Sequence, residues 1–249
     1  MIKAAIFDYG ETIVLPKERD REVLPKATKA SYRLLAQRGL KMPYERFSTL
    51  DQSIFRRYAE MEAKEDRDIP DIVKYREVVN RLFPHRSQAW RRGVAAEANS
   101  AFWNVVNRNF APEKGARRCM GELKSMGLRM AVLSNHHNHQ ALINHLKLIG
   151  MSGYFVRIFS SDQLGVRKPN PNAFKRCLSA LRTKGEETVF VGDSLRKDVV
   201  GAKALGMKTI LVEREPRERP DPSPELPAPD FTIDGLAEVP RIVKILNGS

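Results

Sequence analysis

Cysteine is almost missing from this chain. Cys119 and Cys177, two in 249 residues, cannot build a disulfide framework, and neither stands in metal-ligand spacing. Free thiols and a cytoplasmic location are the expectation. Long apolar runs are also missing. No stretch approaches the roughly 20 residues of a membrane-spanning helix, and no signal-peptide layout precedes the apolar residues 2–7. Neither a membrane nor export is expected. Acidic residues are in the minority, 30 against 43 Lys and Arg, which leaves a net charge of +13. The basic residues form no block, carry no zinc spacing and show no aromatic-basic signature of an RNA-binding sheet. Nucleic acid is therefore not expected as a partner. The excess reads as a basic surface that favours a small anionic substrate. With 42% hydrophobic and 29% charged residues the composition is that of a soluble globular protein, long enough for one large or two modest domains. Nothing in it fixes an oligomeric state.

What is present is an alternation of two periodicities. The spacing predicts helices over 116–126, 138–147, 171–181 and 197–205, with Gly127 as a C-terminal cap residue and Pro171 at a helix start. Strands are predicted over 130–133, 157–160, 188–191 and 208–212. Residues 2–7 add a further strand. Strands alternating with helices of about ten residues imply a parallel sheet covered by helices on both faces, a doubly wound α/β fold. The first and last parts of the chain, 1–15 and 113–249, are expected to share this one core.

Between them, 16–112 holds no convincing strand. Phe47, Leu50, Ile54, Tyr58 and Met61 fall on one face of a helix. Helices are also predicted over 23–37, 72–83 and 94–109, with Pro43, Pro70 and Pro84 as punctuation. About four inserted helices are expected. Residues 213–229, rich in Pro, Glu and Arg, cannot hold a regular helix or interior strand and are expected to form a solvated loop. Phe231-Thr232-Ile233 reads as a short edge strand before a last helix.

Four segments carry chemistry. Asp8 closes the apolar run Ile2 to Phe7 and opens the loop Tyr9-Gly10-Glu11-Thr12. A carboxylate at the C-terminal end of a strand stands where open α/β sheets bind ligands. Ser134 and Asn135 end the run Val132-Leu133, so a hydroxyl and backbone amides are offered at the same edge. Both residue types also cap helices well. Arg167-Lys168-Pro169 supplies a fixed positive charge, with either basic residue able to carry it. Val189-Phe190-Val191-Gly192-Asp193-Ser194, followed by Asp198, places two carboxylates near a strand end. Such a pair can hold a hard cation that takes oxygen ligands, such as Mg2+.

In the order carboxylate, hydroxyl, lysine, carboxylate, these segments resemble the four motifs of the haloacid dehalogenase superfamily. The segment Gly201-Ala202-Lys203-Ala204-Leu205-Gly206-Met207 continues the likeness. The resemblance implies a Rossmann-like core with the helices of 16–112 as a cap. It implies a Mg2+-dependent phosphatase acting on a small phosphate monoester through an aspartyl-phosphate. Asp8 would be the nucleophile, Ser134, Asn135 and Lys168 would hold the phosphoryl group, and Asp8, Asp193 and the carbonyl of Gly10 would bind the metal, with Asp198 either a second ligand or an outer partner of the lysine. One position departs. The family's phosphatases carry a general acid/base aspartate where this chain has Gly10. Glu11 is one residue further on, and in an extended segment its side chain would point the opposite way. A histidine from the group His136, His137, His139 and His145 is a second candidate for proton transfer, and the same group has a weaker claim as a metal site. Members lacking the aspartate include 2-haloacid dehalogenases, where a halide leaves unprotonated, and phosphonoacetaldehyde hydrolases, which use a cap lysine. A degenerate member that binds phosphorylated ligands or a protein partner is the alternative from another class.

Overall fold

The computed structural model describes residues 1–65, 67–213 and 226–248. In chain order the elements begin with β1 (Ala4–Phe7), β2 (Val14–Pro16), α1 (Asp20–Gln37), α2 (Tyr44–Glu65), α3 (Asp71–Leu82) and α4 (Gln88–Arg108). Then come β3 (Phe110–Pro112), α5 (Ala116–Ser125), β4 (Arg129–Ser134), α6 (His139–Leu148), β5 (Arg157–Ser160) and the single turn α7 (Ser161–Leu164). The last third holds α8 (Pro171–Leu181), β6 (Thr188–Gly192), α9 (Val200–Lys203), β7 (Lys208–Val212), β8 (Phe231–Ile233) and α10 (Val239–Leu246).

Side chains alternate across a strand, and here both faces of the sheet need cover. Ala5 and Phe7 of β1 join Met130 and Val132 of β4 on one face, under α5, α6 and α10. Ala4 and Ile6 join Ala131 and Leu133 on the other, against Phe174 and Cys177 of α8. All four β1 side chains are fully buried, which is why the run is continuously apolar. Each large apolar side chain buried this way contributes roughly 1.5–3 kcal/mol. The sheet is six-stranded in the order β5-β4-β1-β6-β7-β8, and every pair is parallel. The chain therefore winds outward from β1 in both directions. The switch in winding opens a crevice beyond the C-terminal ends of β4, β1 and β6. Pairing of Phe7 with Val132 and Val191 brings Asp8, Ser134 and Asp193 to that same edge.

The four helices α1 to α4 pack around a separate core of Val23, Leu35, Phe47, Ile54, Tyr75 and Val79. Of the apolar face read along α2, Phe47 and Ile54 are buried, Leu50 and Tyr58 half-buried, and Met61 lies exposed at its end. The expectation of no strand near this insertion is corrected at its edges. Val14–Pro16 and Phe110–Pro112 pair antiparallel and form a two-stranded ribbon through which the chain leaves and re-enters the core. Three-residue strands ending in proline carry too short an alternation to stand out in a sequence. A second correction concerns the helix read over 197–205. It is a wide π-helical turn over Leu195–Val199 followed by α9, and such turns recur at functional sites. Gly127 takes a left-handed φ of 79° after α5, as a C-terminal cap requires. Most of the Pro- and charge-rich segment, 214–225, lies outside the described residues. Both cysteines are free and buried, and burial pushes their thiols up. Among the described residues no helix is long and apolar enough to cross a membrane.

Candidate active site

Asp8 leaves the end of β1 with its backbone N–H donated to the Val191 carbonyl at 2.9 Å, so the position of its Cα is fixed by the sheet. Lys168 reaches it from the loop before α8. Its ammonium, 2% exposed, donates to Asp8 Oδ1 and to Asp198 Oδ1, each at 2.6 Å. Burial alone would lower the lysine pKa, but the Asp198 and Asp8 charges outweigh it and the net direction is up. Lys168 is thus a permanent cation. Burial also raises the proton affinity of Asp198, with Asp8 adding to it and Lys168 opposing. Arg167, the other candidate for the motif's cation, turns away and pairs with Asp68 at 3.1 Å. The main chain of Lys168 is held in turn. Its N–H donates to Asn135 Oδ1 at 2.8 Å, and Asn135 Nδ2 donates to its carbonyl at 3.0 Å. The Lys168-Pro169 peptide bond is cis.

Asp198 Oδ2 accepts the Ser194 N–H at 3.0 Å, which aims the carboxylate back over the strand end. Gly192 makes this possible, because a Cβ there would lie 2.3 Å from Asp198 Oδ2. Carboxylate oxygens of Asp8, Asp193 and Asp198 fall within 4.8 Å of one another. Acids so close repel unless positive charge compensates, and Lys168 pairs with two of them, Asp8 and Asp198. The all-oxygen donor set fits a hard divalent cation.

These groups line a cavity of about 370 Å³ at the sheet edge, together with Ser134 and Asn135. All seven residues expected from the sequence, Asp8, Gly10, Ser134, Asn135, Lys168, Asp193 and Asp198, line it. Not all of the expected roles remain open to them. The Asn135 side chain is committed to the Lys168 backbone, and capping of α6 falls to Asn138, which accepts the Ala141 N–H at 3.0 Å. The wall opposite the sheet was not legible in the sequence. It comes from Asp20 and Leu24 of α1 and from Phe102, Trp103, Val106 and Asn107 of α4. Their spacing on α4 reads only as an amphipathic helix, without any sign of what the helix faces.

Two expectations about proton transfer need correction. The segment after Asp8 is not extended. Ile13 and Val14 both donate to the Tyr9 carbonyl, Gly10 bridges to Val14, and Glu11 takes a left-handed φ of 54°. The alternation argument against Glu11 fails because the turn rotates it, and Glu11 lines the cavity. The histidines, by contrast, separate. His145 bonds the buried Tyr9 hydroxyl, His139 contacts Ser160 Oγ at 2.9 Å, and His137 lies 3.4 Å from Glu62. Only His136 lines the cavity, stacked 4.4 Å from Trp103, and burial pushes it down to about 3. It is neutral at pH 7 and has no proton to give as an acid. Among the described residues no histidine belongs to a metal-ligating cluster.

A family model for haloacid dehalogenase-like hydrolases matches residues 2–206. The chain belongs to that family. This haloacid dehalogenase-like hydrolase is 26% identical over 247 residues to a glyceraldehyde 3-phosphate phosphatase of Methanocaldococcus jannaschii, across 99% of each chain. It is 32% identical over 147 residues to a phosphoserine phosphatase of Thermus thermophilus, covering 58% of this chain and 57% of the other. Among solved structures, 2-haloacid dehalogenase from Pseudomonas syringae pv. Tomato matches with a TM-score of 0.72 at 21% identity, over 98% of this chain and 99% of that one. The last likeness is one of fold.

Proposed function

We propose that this hydrolase is a Mg2+-dependent phosphatase acting on a small phosphate monoester, with Asp8 as nucleophile. The observation that carries the reading is the cluster of Asp8, Asp193 and Asp198, two of which, Asp8 and Asp198, pair with the buried Lys168. A haloacid dehalogenase requires neither a leaving-group acid nor a metal, so three carboxylates that converge with metal-ligand spacing favour the phosphatase. Phosphatase names among the relatives point the same way. Residues 1–15 and 113–249 would act as the core and 16–112 as a cap over the cavity.

In this reading a carboxylate oxygen of Asp8 bonds to phosphorus as the ester P–O bond breaks. Lys168 holds Oδ1, which leaves Oδ2 to attack. Ser134 and the backbone amides beside it hold phosphoryl oxygens, while Lys168 offsets their charge. Mg2+, when bound by Asp8, Asp193, Asp198 and the Gly10 carbonyl, supplies further neutralisation of the phosphoryl group. The leaving oxygen needs a proton, and the cavity-lining carboxyls outside the cluster of three are Glu11 and Asp20. Water then attacks phosphorus, the Asp8–phosphorus bond breaks, and phosphate leaves. A panel of phosphate monoesters, assayed with EDTA and with Mg2+ restored, tests the proposal beside a 2-haloacid and phosphonoacetaldehyde. Hydrolysis of an ester that needs Mg2+ and falls at least about a thousandfold in Asp8→Asn supports it. Haloacid turnover that ignores EDTA, or full phosphatase activity in folded Asp8→Asn, overturns it.

A further inference from the structure

A second cavity of about 300 Å³ opens within the helical unit, between α1 and α2. Leu24 and Thr28, Ser48, Asp51 and Phe55, and Phe102 of α4 line it. Leu24 and Phe102 also line the catalytic cavity, so the two spaces share a wall made of two apolar side chains. Leu24 is 44% exposed, unusual for a large apolar residue on a packed helix, and it has a cavity on either side.

Among the described residues Asp51 is the one acid lining this second space, and it is 5% exposed. Its Oδ1 has no hydrogen-bond partner among the described residues. No ion pair of Asp51 is found among the described residues, and the buried lysine beside Asp71 is already used. Lys74 Nζ sits 3.0 Å from both Glu62 and Asp71, and Asp71 also accepts from Trp103 Nε1 at 3.2 Å. Asp71 acts on Asp51 with charge of the same sign. Buried carboxyls in native proteins are paired or hydrogen-bonded as a rule, and an exception in a cavity wall calls for a partner from outside the chain.

From this geometry we infer that the Asp51 cavity receives the far end of the substrate's leaving group and selects a protonated amine there. The inference rests on the phosphatase reading for the position of the phosphate. The substrate class that follows is an ester with phosphate at one end, an apolar stretch passing Leu24 and Phe102, and an ammonium at the other.

Matched series of n-alkyl, ω-hydroxyalkyl and ω-aminoalkyl phosphates of increasing length test this, read as ratios of kcat/KM. At the length that spans the two cavities, the amine should exceed the alkyl ester by about tenfold or more, which is about 1.4 kcal/mol. Asp51→Asn, nearly isosteric, should bring the ratio to about one. Ser48→Leu, which narrows the cavity from the same helix, should do so too and gives a second route if the first variant folds poorly. Calorimetry with non-hydrolysable ω-aminoalkyl phosphonates reads the pocket without turnover. Amine-selective phosphonate binding that is lost in Asp51→Asn, without hydrolysis of any ester, would uphold the pocket and reject the phosphatase reading. Equal ratios for amine and alkyl at every length, equal preference for hydroxyl and amine, selectivity that survives Asp51→Asn, or no binding of the phosphonates would each overturn the pocket.

Discussion

Asn135 clasps the main chain of Lys168 from both sides, accepting its N–H at 2.8 Å and donating to its carbonyl at 3.0 Å. The two residues are 33 positions apart, at the ends of different loops, and this pair of bonds sets where the lysine stem begins. The ammonium at its other end must meet two carboxylates at 2.6 Å each. Small errors in position at such a site cost rate steeply.

Asn135→Ala should therefore lower kcat by roughly tenfold to a hundredfold on a phosphate ester, with a smaller change in KM. Asn135→Asp keeps the acceptor for the Lys168 N–H and loses the donor to its carbonyl, so it should fall between the two. Steady-state kinetics on the three proteins, with circular dichroism as the check on folding, decide this. A change confined to KM would mean that the side chain contacts substrate instead of positioning the lysine.

Asp51 should reveal itself in the pH dependence of stability. Burial, with help from the Asp71 charge, pushes its carboxyl up to about 7 from an ordinary 3.8. The folded state thus holds this proton more tightly than the unfolded chain does. That advantage is full at pH values below 3.8 and is lost progressively as pH rises through 7. The size of the shift caps the effect at roughly 4 kcal/mol. Asp51→Asn removes the ionisation, so it should match the native protein near pH 4 and exceed it in stability at about pH 8. Tyr75 and Asp71, the titratable groups that interact with Asp51, are left in place. Denaturant unfolding at the two pH values checks the prediction. A variant equally destabilised at both would show that Asp51 holds the helices together as a hydrogen-bonding group.

The sheet and the edge that carries the candidate site were legible because each signal was local. A fully apolar run such as Ala4–Phe7 states that both faces are covered, and Asp8, Ser134 and Asp193 each directly follow or close such a run. What was not legible depends on contacts across long separations or on backbone turns without a side-chain signature. Arg167 and Lys168 are alike in sequence, and only Asp68, from the linker between α2 and α3, draws the arginine away. The four histidines stand close together along the chain, yet each takes a different partner: Tyr9, Ser160, Glu62 or the ring of Trp103. Glu11 was misread because a left-handed residue that is not glycine is uncommon and leaves no pattern.

The sharpest test of the chemistry is at Gly10, where the family's phosphatases carry their acid. A substitution there would fail in a left-handed backbone or a crowded one, and neither obstacle is present. Gly10 is absent from the positive-φ residues, and a Cβ at this position meets nothing within 4 Å. Gly10 already lines the cavity, so a carboxyl added to it enters the space where a leaving group departs. General acid/base catalysis contributes typically 10²–10⁴ in rate. If the vacancy limits turnover, Gly10→Asp should raise kcat on an alkyl phosphate by about tenfold or more. The gain should shrink for an aryl phosphate, whose leaving group departs with less help from an acid. Glu11→Gln and Asp20→Asn complete the comparison. If one of them already serves as the acid, its variant should lose rate in the native background and lose little in the Gly10→Asp background. A folded Gly10→Asp protein with no gain on either ester, beside a large loss in Glu11→Gln, would assign the proton to Glu11.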